Sequence, residues 1–552
     1  MILNGDHDMR RFGALPGNAP GLPARLLTAA LGLALLASAH ARVDAAEPHK
    51  GGTLVVATTA DTPDLDIQKY LNSSQHNALL PLFDGLVEKD FTADADFPPI
   101  IPGLATSWSV SPDGLTYTFI LRKGVKFHDG TPFNAAAADF NFQRMTNPKQ
   151  KYYDPQVGSS AQGVLKGLKG SKVVDEYTFQ IELSHPNTGF IEAIASLPNY
   201  YMESPAAFDK YGKDVGQHAV GTGPFKLVEW VRGQRTVMAR NDDYWGKKPY
   251  VDTMVYRPII EPAARAAALK AGEVQIAWDL PVDQVDSFKA DPAYQVFLRG
   301  IPATKVIECW QSSGPFSDKR VRKAVNMAID RETLANVVLK GTAVPATQLY
   351  GIGSASYDKS LPVFEKFDPA GARKLLAETK YPNGFSFFII TSPENEPVAG
   401  ALQAYEFVQA NLADIGVKMD IRVSDNAVMS QTYMKAKADD ECVTFDRGYD
   451  TDFILDMGYN GTQCVPNGMD DQCYNNPQVN ALMEKAYTAT SIDEWRSLHQ
   501  QAQKLIVEDS GSIPLVHGLR PMGALACVKN WVPARAWLQF PGDAWLDGCA
   551  GS

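Results

Sequence analysis

His128, Asp129 and Gly130 stand together near the end of the stretch SPDGLTYTFILRKGVKFHDGTPF (111–133). An imidazole beside a carboxylate is the pairing used in general acid–base chemistry. An Asp-Gly step before Thr-Pro is equally the composition of a turn. Gly221-Thr222-Gly223 offers a second candidate, a phosphate cradle. That chemistry needs a third glycine opening a helix, and here Pro224 and the alternating run FKLVEW follow instead. The chain has no H-E-x-x-H, no G-x-S-x-G and no P-loop, which removes the commonest metalloprotease, esterase and nucleotidase signatures. Six cysteines (Cys309, Cys442, Cys464, Cys473, Cys527, Cys549) include no C-x-x-C and have no histidine at ligand spacing, so zinc is a poor fit and no metal or cofactor is expected. Disulfides in an oxidising compartment fit better. Cys464 and Cys473 enclose the short polar loop VPNGMDDQ and are the expected pair; the pairing of the other four stays open. A secreted hydrolase with paired carboxylates across a cleft is the alternative function, because separation along the chain hides separation in space.

Those residues need a scaffold. A chain of 552 residues exceeds one core and suggests several domains. The net charge of −11, with no basic block, argues against nucleic acid as partner. Arg10, Arg11 and Arg25 precede the apolar run LLTAALGLALLASA, and Ala39-His40-Ala41 offers a cleavage site. Residues 1–41 therefore read as a signal peptide, and the mature chain as exported to the periplasm. Met9 is an alternative start, and the absence of cysteine near the cleavage site argues against a lipid anchor.

GTLVVATTA reads as a buried strand and Asn77–Leu86 as a helix, with Ala78, Leu79, Leu82 and Phe83 on one face. Leu115, Tyr117, Phe119 and Leu121 alternate with polar residues, which predicts a half-buried strand after the SPDG turn. Val125 and Phe127 predict a strand returning beside it. Asn134, Asp318, Asp368 and Asn476 each precede an amphipathic run as helix caps, with Pro at the first helical position in the last two. GFSFFIITS and GVKMDIRVS read as strands between helices. The fold class is α/β, mixed α+β.

Four blocks, in order, carry a resemblance: IIPGLATSW…AAAADFNF (100–142), VGTGPFKLVEW…VYRPI (220–259), GPFSDKRVRKAVNMAIDRETL (314–334), and YNNPQVNALMEKAY…IPLVHG (474–518). The chain resembles the extracytoplasmic solute-binding proteins of family 5, the peptide, nickel and opine class that serves ABC importers. The resemblance implies a two-lobed periplasmic-binding-protein fold with an extra inserted domain and a hinge of two crossovers, near Ile301 and Ile513. Domain I is expected at 47–80, 220–301 and 512–552, domain II, the insertion, at 81–219, and domain III at 302–511. In this family the block around His128 lies away from the cleft, which gives His128 and Asp129 a structural role.

The resemblance also implies a ligand site: Asp61, Thr62, Trp278 and Asp279 from domain I, and Trp310, Phe445, Asp446, Arg447, Tyr449 and Asp450 from domain III. Gly448 stands where dipeptide-binding members carry the aspartate that holds the ligand's ammonium group, so Asp446, Asp450 or Asp452 would have to replace it. Arg447 would clamp a carboxylate or phosphate, Trp310 and Phe445 would stack on a flat or apolar ligand, and Asp279 would pair a cation or cap a turn. His76 is read as part of a helix start. The implied function is capture and delivery, not catalysis. Its partners are a peptide-like or other polyfunctional solute and the permease subunits of an importer, with the ATPase engaged indirectly and the chain itself a monomer. Peptide or amino-acid conjugate ranks first among ligands, with opine, nickel chelate and sugar left open.

Overall fold

The computed structural model describes residues 47–552 apart from 70–72, 96, 165–166, 362–363, 393–397, 399, 425–431, 433–437, 449–454, 456–457, 466–469, 490 and 550–552. The signal-peptide segment and Tyr449, Asp450 and Asp452 thus lie outside the described residues.

Among the described residues the strands are, in chain order, β1 (Thr53–Thr58), β2 (Val87–Lys89), β3 (Ile100–Pro102), β4 (Ala105–Val110), β5 (Thr116–Leu121), β6 (Leu168–Asp175), β7 (Thr178–Leu183), β8 (Phe225–Val231), β9 (Arg235–Arg240), β10 (Thr253–Pro258), β11 (Ile276–Ala277), β12 (Tyr294–Cys309), β13 (Ala343–Pro345), β14 (Ser386–Thr391), β15 (Lys418–Val423), β16 (Glu441–Arg447), β17 (Ile513–Leu525), β18 (Val528–Lys529) and β19 (Trp545–Leu546). One large mixed sheet runs β15-β14-β16-β12-β17-β11-β1-β10-β9-β8, with β13 alongside β17. A separate four-stranded sheet runs β4-β5-β7-β6.

The small sheet shows how alternation sets a face. Tyr117, Phe119 and Leu121 turn inward and join Phe179, Ile181 and the helix Ala135–Thr146 in one core. The partner of β5 differs from the sequence reading. β5 pairs with β4 through the SPDG turn and with β7 on its other side, while Val125–Phe127 makes only an isolated bridge, Lys126 to Pro132. The turn at 122–124 sends Val125 and Phe127 into the core instead. The helix expected over Asn77–Leu86 lies earlier, Ser73–Leu79, and gives way to a 3-10 turn, Leu80–Leu82. Pro81 explains the stop, since proline lacks the N–H that a continuing helix needs. All four predicted caps act as such: the side chains of Asn134, Asp318, Asp368 and Asn476 accept from the backbone N–H of Ala137, Arg320, Gly371 and Gln478.

β12 and β17 are the longest strands, and they join the two halves of the large sheet. Tyr294–Gly300 pairs with Leu525–Leu519, and Thr304–Ile307 pairs with His517–Ile513, with a register break between Gly300 and Thr304. Beyond the break β12 takes β16 as its other neighbour, whereas the far end of β17 takes β11. The chain therefore crosses twice, near 301–303 and near Gly518. Each half has its own core. One gathers Ile307, Phe387, Ile389 and Val417 under helices Lys319–Met327 and Ala401–Ala413. The other gathers Leu54, Val56, Met254 and Ile276 with the tail residues Trp531, Ala534, Ala536 and Leu538. Disulfides join Cys309 to Cys442, Cys464 to Cys473 and Cys527 to Cys549. No described helix is long and apolar enough to cross a membrane.

Candidate functional site

At the crossing, Arg447, Thr304, His517 and Val344 occupy one row across β16, β12, β17 and β13. Glycines let other segments close on it. A Cβ on Gly448 would collide with the Pro302 carbonyl, one on Gly351 with the Ala303 backbone, and one on Gly518 would sit 2.6 Å from Val398. His517 is fully buried in this row. Its Nε2 accepts the Thr347 N–H at 3.0 Å, so Nδ1–H donates to Thr304 Oγ1 at 2.8 Å. Burial pushes the imidazole down to about 3, so it is neutral.

On the N-terminal side of the crossing, the expected residues form two groups. Asp61 follows β1 and accepts from Thr62 N–H at 2.8 Å and from Gly233 N–H at 2.6 Å. It thereby ties this loop to the β8–β9 turn. Thr62 is buried and donates to the Asp64 carbonyl at 2.5 Å. Trp278 and Asp279 follow β11. Asp279 sits in the left-handed region, φ 51°, held there by Arg265, which donates to the Trp278 and Asp279 carbonyls at 2.9 Å each. Both Asp279 oxygens receive Arg520, at 2.5 and 2.9 Å, and Arg520 lies 5.6 Å over the Trp278 ring. Trp278 is buried and packs edge-on against Tyr256, 5.8 Å between centroids; its Nε1 has no acceptor among the described residues. Sequence reasoning missed Arg520. Its signal was a lone charge inside the otherwise apolar run IPLVHGLRPMGAL.

On the other side, Asp446 and Lys305 form a buried ion pair at 2.8 Å, and Asp446 also accepts the Val398 N–H. The Arg447 fork, expected to face a ligand, closes on Glu308 and Asp471 instead. Tyr459 adds a hydrogen bond to Glu308 at 2.8 Å. Phe445 lies 4.5 Å from the guanidinium and is half-buried. Burial pushes the Glu308 carboxyl up to about 7 against the pull of Arg447. Burial also works against the Arg447 charge, yet Glu308 and Asp471 hold its pKa above the ordinary value. Trp310 does not join the crossing. It follows β12 at the end opposite Glu441, six residues past Thr304 and so roughly 20 Å along the strand. There it packs on Val465 and the Cys464–Cys473 bridge and donates to Ser313 Oγ at 3.2 Å.

His128 lies in neither group. Its Nδ1 accepts from Gly221 N–H at 3.3 Å and its Nε2 pairs with the Gly223 carbonyl at 3.0 Å; Asp129 accepts from Ser204 at 2.6 Å. The trio pins the 128–130 turn to the GTG segment, and burial pushes His128 down to about 4. His76 is buried within the helix Ser73–Leu79. Glu308 and Asp471, two buried carboxylates that stand together, are both paired with Arg447.

The chain is similar to known proteins in sequence and in fold. Residues 99–468 match the model for bacterial extracellular solute-binding proteins, family 5 Middle. The glutathione-binding protein GsiB of Salmonella typhimurium is 34% identical over 422 residues, 75% of this chain and 80% of that one. GsiB of Pectobacterium atrosepticum is 31% identical over 464 residues, 83% and 87% of the two chains. The periplasmic binding protein DppA of Helicobacter pylori, solved with the peptide STSA, superposes with a TM-score of 0.79 at 26% identity, covering 90% of this chain and 98% of that one. By their names these relatives are binding proteins, of glutathione in the two GsiB sequences and of a peptide in the DppA complex. The chain belongs to the bacterial extracellular solute-binding proteins of family 5, the substrate-binding components of ABC importers.

Proposed function

We propose that this chain acts in the periplasm, after removal of residues 1–41, as a monomeric receptor for a peptide-like solute of the size and charge pattern of glutathione, which it delivers to a membrane permease. The observation that carries the reading is the 34% identity to a glutathione-binding protein over three quarters of the chain. The three-domain partition, with its hinge at the double crossing of β12 and β17, supplies the mechanism. Contacts from the ligand to both halves favour the closed form, since only differential affinity shifts a two-state equilibrium.

Asp279 and Arg520, held as a bidentate pair beside Trp278, form the proposed recognition group of the first half. A zwitterion carrying carboxylates and an ammonium can exchange with both members of such a pair. Asp61 and Thr62 shape the loop beside the β8–β9 turn, and Phe445 supplies an apolar contact from the second half. Arg447 and Asp446 act here as supports for that half, and a role for Trp310 in stacking is withdrawn in favour of packing on the disulfide.

Calorimetric titration with reduced glutathione, oxidised glutathione, dipeptides and opines tests the reading. A ligand at a hundred times its Kd raises stability by about 2.7 kcal/mol through mass action, with mass spectrometry recovering it unchanged. If peptides leave the melting temperature unmoved while an opine or sugar raises it, the solute class is wrong. A cleaved product would overturn capture itself.

A further inference from the structure

A cavity of about 200 Å3 opens between the 80–101 segment, the 244–249 loop and the tail at 540–543. It shares no lining residue with the crossing row or with the Asp279–Arg520 pair. The volume is far above the roughly 10–15 Å3 that one water needs. Five aromatic rings line it: Phe83, Phe91, Tyr201, Tyr244 and Phe540.

Four carboxyls also line it, Asp84, Glu88, Asp90 and Asp543, and the first two differ in their hydrogen bonding. Asp84 is buried and fully engaged: Thr222, Trp245 and Tyr244 donate to it at 2.8, 2.8 and 3.1 Å. Glu88 accepts a single bond, Gly85 N–H to Oε1 at 3.1 Å, and its Oε2 has no hydrogen-bond partner among the described residues. Burial and the neighbouring Asp84 raise the Glu88 carboxyl well above its usual range, against the pull of Arg122.

Among the described residues the basic groups nearby are engaged elsewhere: Arg122 donates to the Gly103 carbonyl at 3.3 Å and lies 4.3 Å over the Trp245 ring. Lys247 pairs with Asp543 at 2.7 Å at the rim, and Lys89 lies 3.5 Å over the Phe97 ring and 4.0 Å from Glu192. Asp90 receives the N–H and hydroxyl of Thr92. The cavity therefore presents ring faces and, in Glu88, a carboxyl with no ion-pair partner among the described residues. Ring faces attract a positive charge that carries alkyl groups, and a bare metal ion finds no cluster of ligands among the described residues.

We propose that this cavity is a second binding site, for a small alkylammonium ion seated among the aromatic rings against Glu88. Binding is non-covalent, with no bond made or broken.

Titration of the full mature chain with choline, n-butylammonium and 3,3-dimethylbutan-1-ol tests this. The last is the neutral carbon isostere of choline. Choline or butylammonium is expected to saturate one site, with the alcohol at least ten-fold weaker, and the stronger of the two cations tells a quaternary from a primary ligand. Glu88→Gln should weaken cation binding at least five-fold with binding of the alcohol unchanged, and Phe540→Leu should weaken both. Both variants should retain wild-type melting curves and near-ultraviolet circular dichroism. Equal binding of alcohol and choline would make this an apolar cavity only. Absence of cation binding to the folded chain, or a folded Glu88→Gln variant that binds as wild type, would overturn the proposal.

Discussion

Thr304 Oγ1 and His517 Nδ1 lie 2.8 Å apart across β12 and β17, at the row where both strands pass from one half of the sheet to the other. A neutral imidazole thus bonds the two connecting strands at the crossing, where the proposed hinge lies.

The first prediction concerns pH. His517 falls from 6.5 to about 3 on folding because it is buried. The unfolded chain takes up a proton below pH 6.5 that the native state refuses, so the stability tied to this group is complete above that pH and is lost as pH falls toward 3. His128, pushed to about 4, acts with the same sign. In urea unfolding, the His517→Gln variant should be less stable than wild type at pH 7.5. The gap should narrow by roughly 2–3 kcal/mol at pH 4.5. A gap that holds constant or widens would mean the native imidazole is charged.

Arg447 carries a second. Removing it strands Glu308 and Asp471, both buried. Arg447→Met should cost about 3–5 kcal/mol. Glu308→Gln should cost clearly less, since Glu308 already stands near 7 and the amide keeps a neutral shape. Equal costs, or a loss under about 1 kcal/mol for Arg447→Met, would show that the cluster does not hold β16 to the segment around Tyr459.

Close approach at the crossing gives a third. Gly448→Ala and Gly351→Ala place a methyl against the backbone of Pro302 and Ala303, which must shift at a cost of about 1–3 kcal/mol. Gly170→Ala, with nothing within 4 Å, is the control and should change stability by less than about 0.5 kcal/mol. If the proposed closure turns about this backbone, the two variants should also weaken solute binding, measured by calorimetry.

The disulfides supply the last. Cys309–Cys442 spans 133 residues and Cys464–Cys473 spans 9. Loop entropy makes the paired alanine replacement of the first cost about 5 kcal/mol and of the second about 2–3 kcal/mol. Denaturant midpoints of the two double variants check the order.

The sequence by itself determined whatever depends on neighbours along the chain. The alternation at 115–121 set the inward face of β5. The oxygens of Asn134, Asp318, Asp368 and Asn476 set four helix starts, because a cap needs only an N–H two or three residues on. The composition of the HDGTP segment set a turn, and Asp61 and Asp279 were found at strand ends where they do sit. Tertiary structure decided what depends on partners far away in number. Asp279 meets Arg520 across 241 positions and Arg447 meets Glu308 across 139. A side chain's charge was legible, but the opposite charge that consumes it was not. Strand pairing misled for the same reason: Val125–Phe127 has the alternation of a strand, and only the competing edges offered by β4 and β7 decided that β5 would not take it.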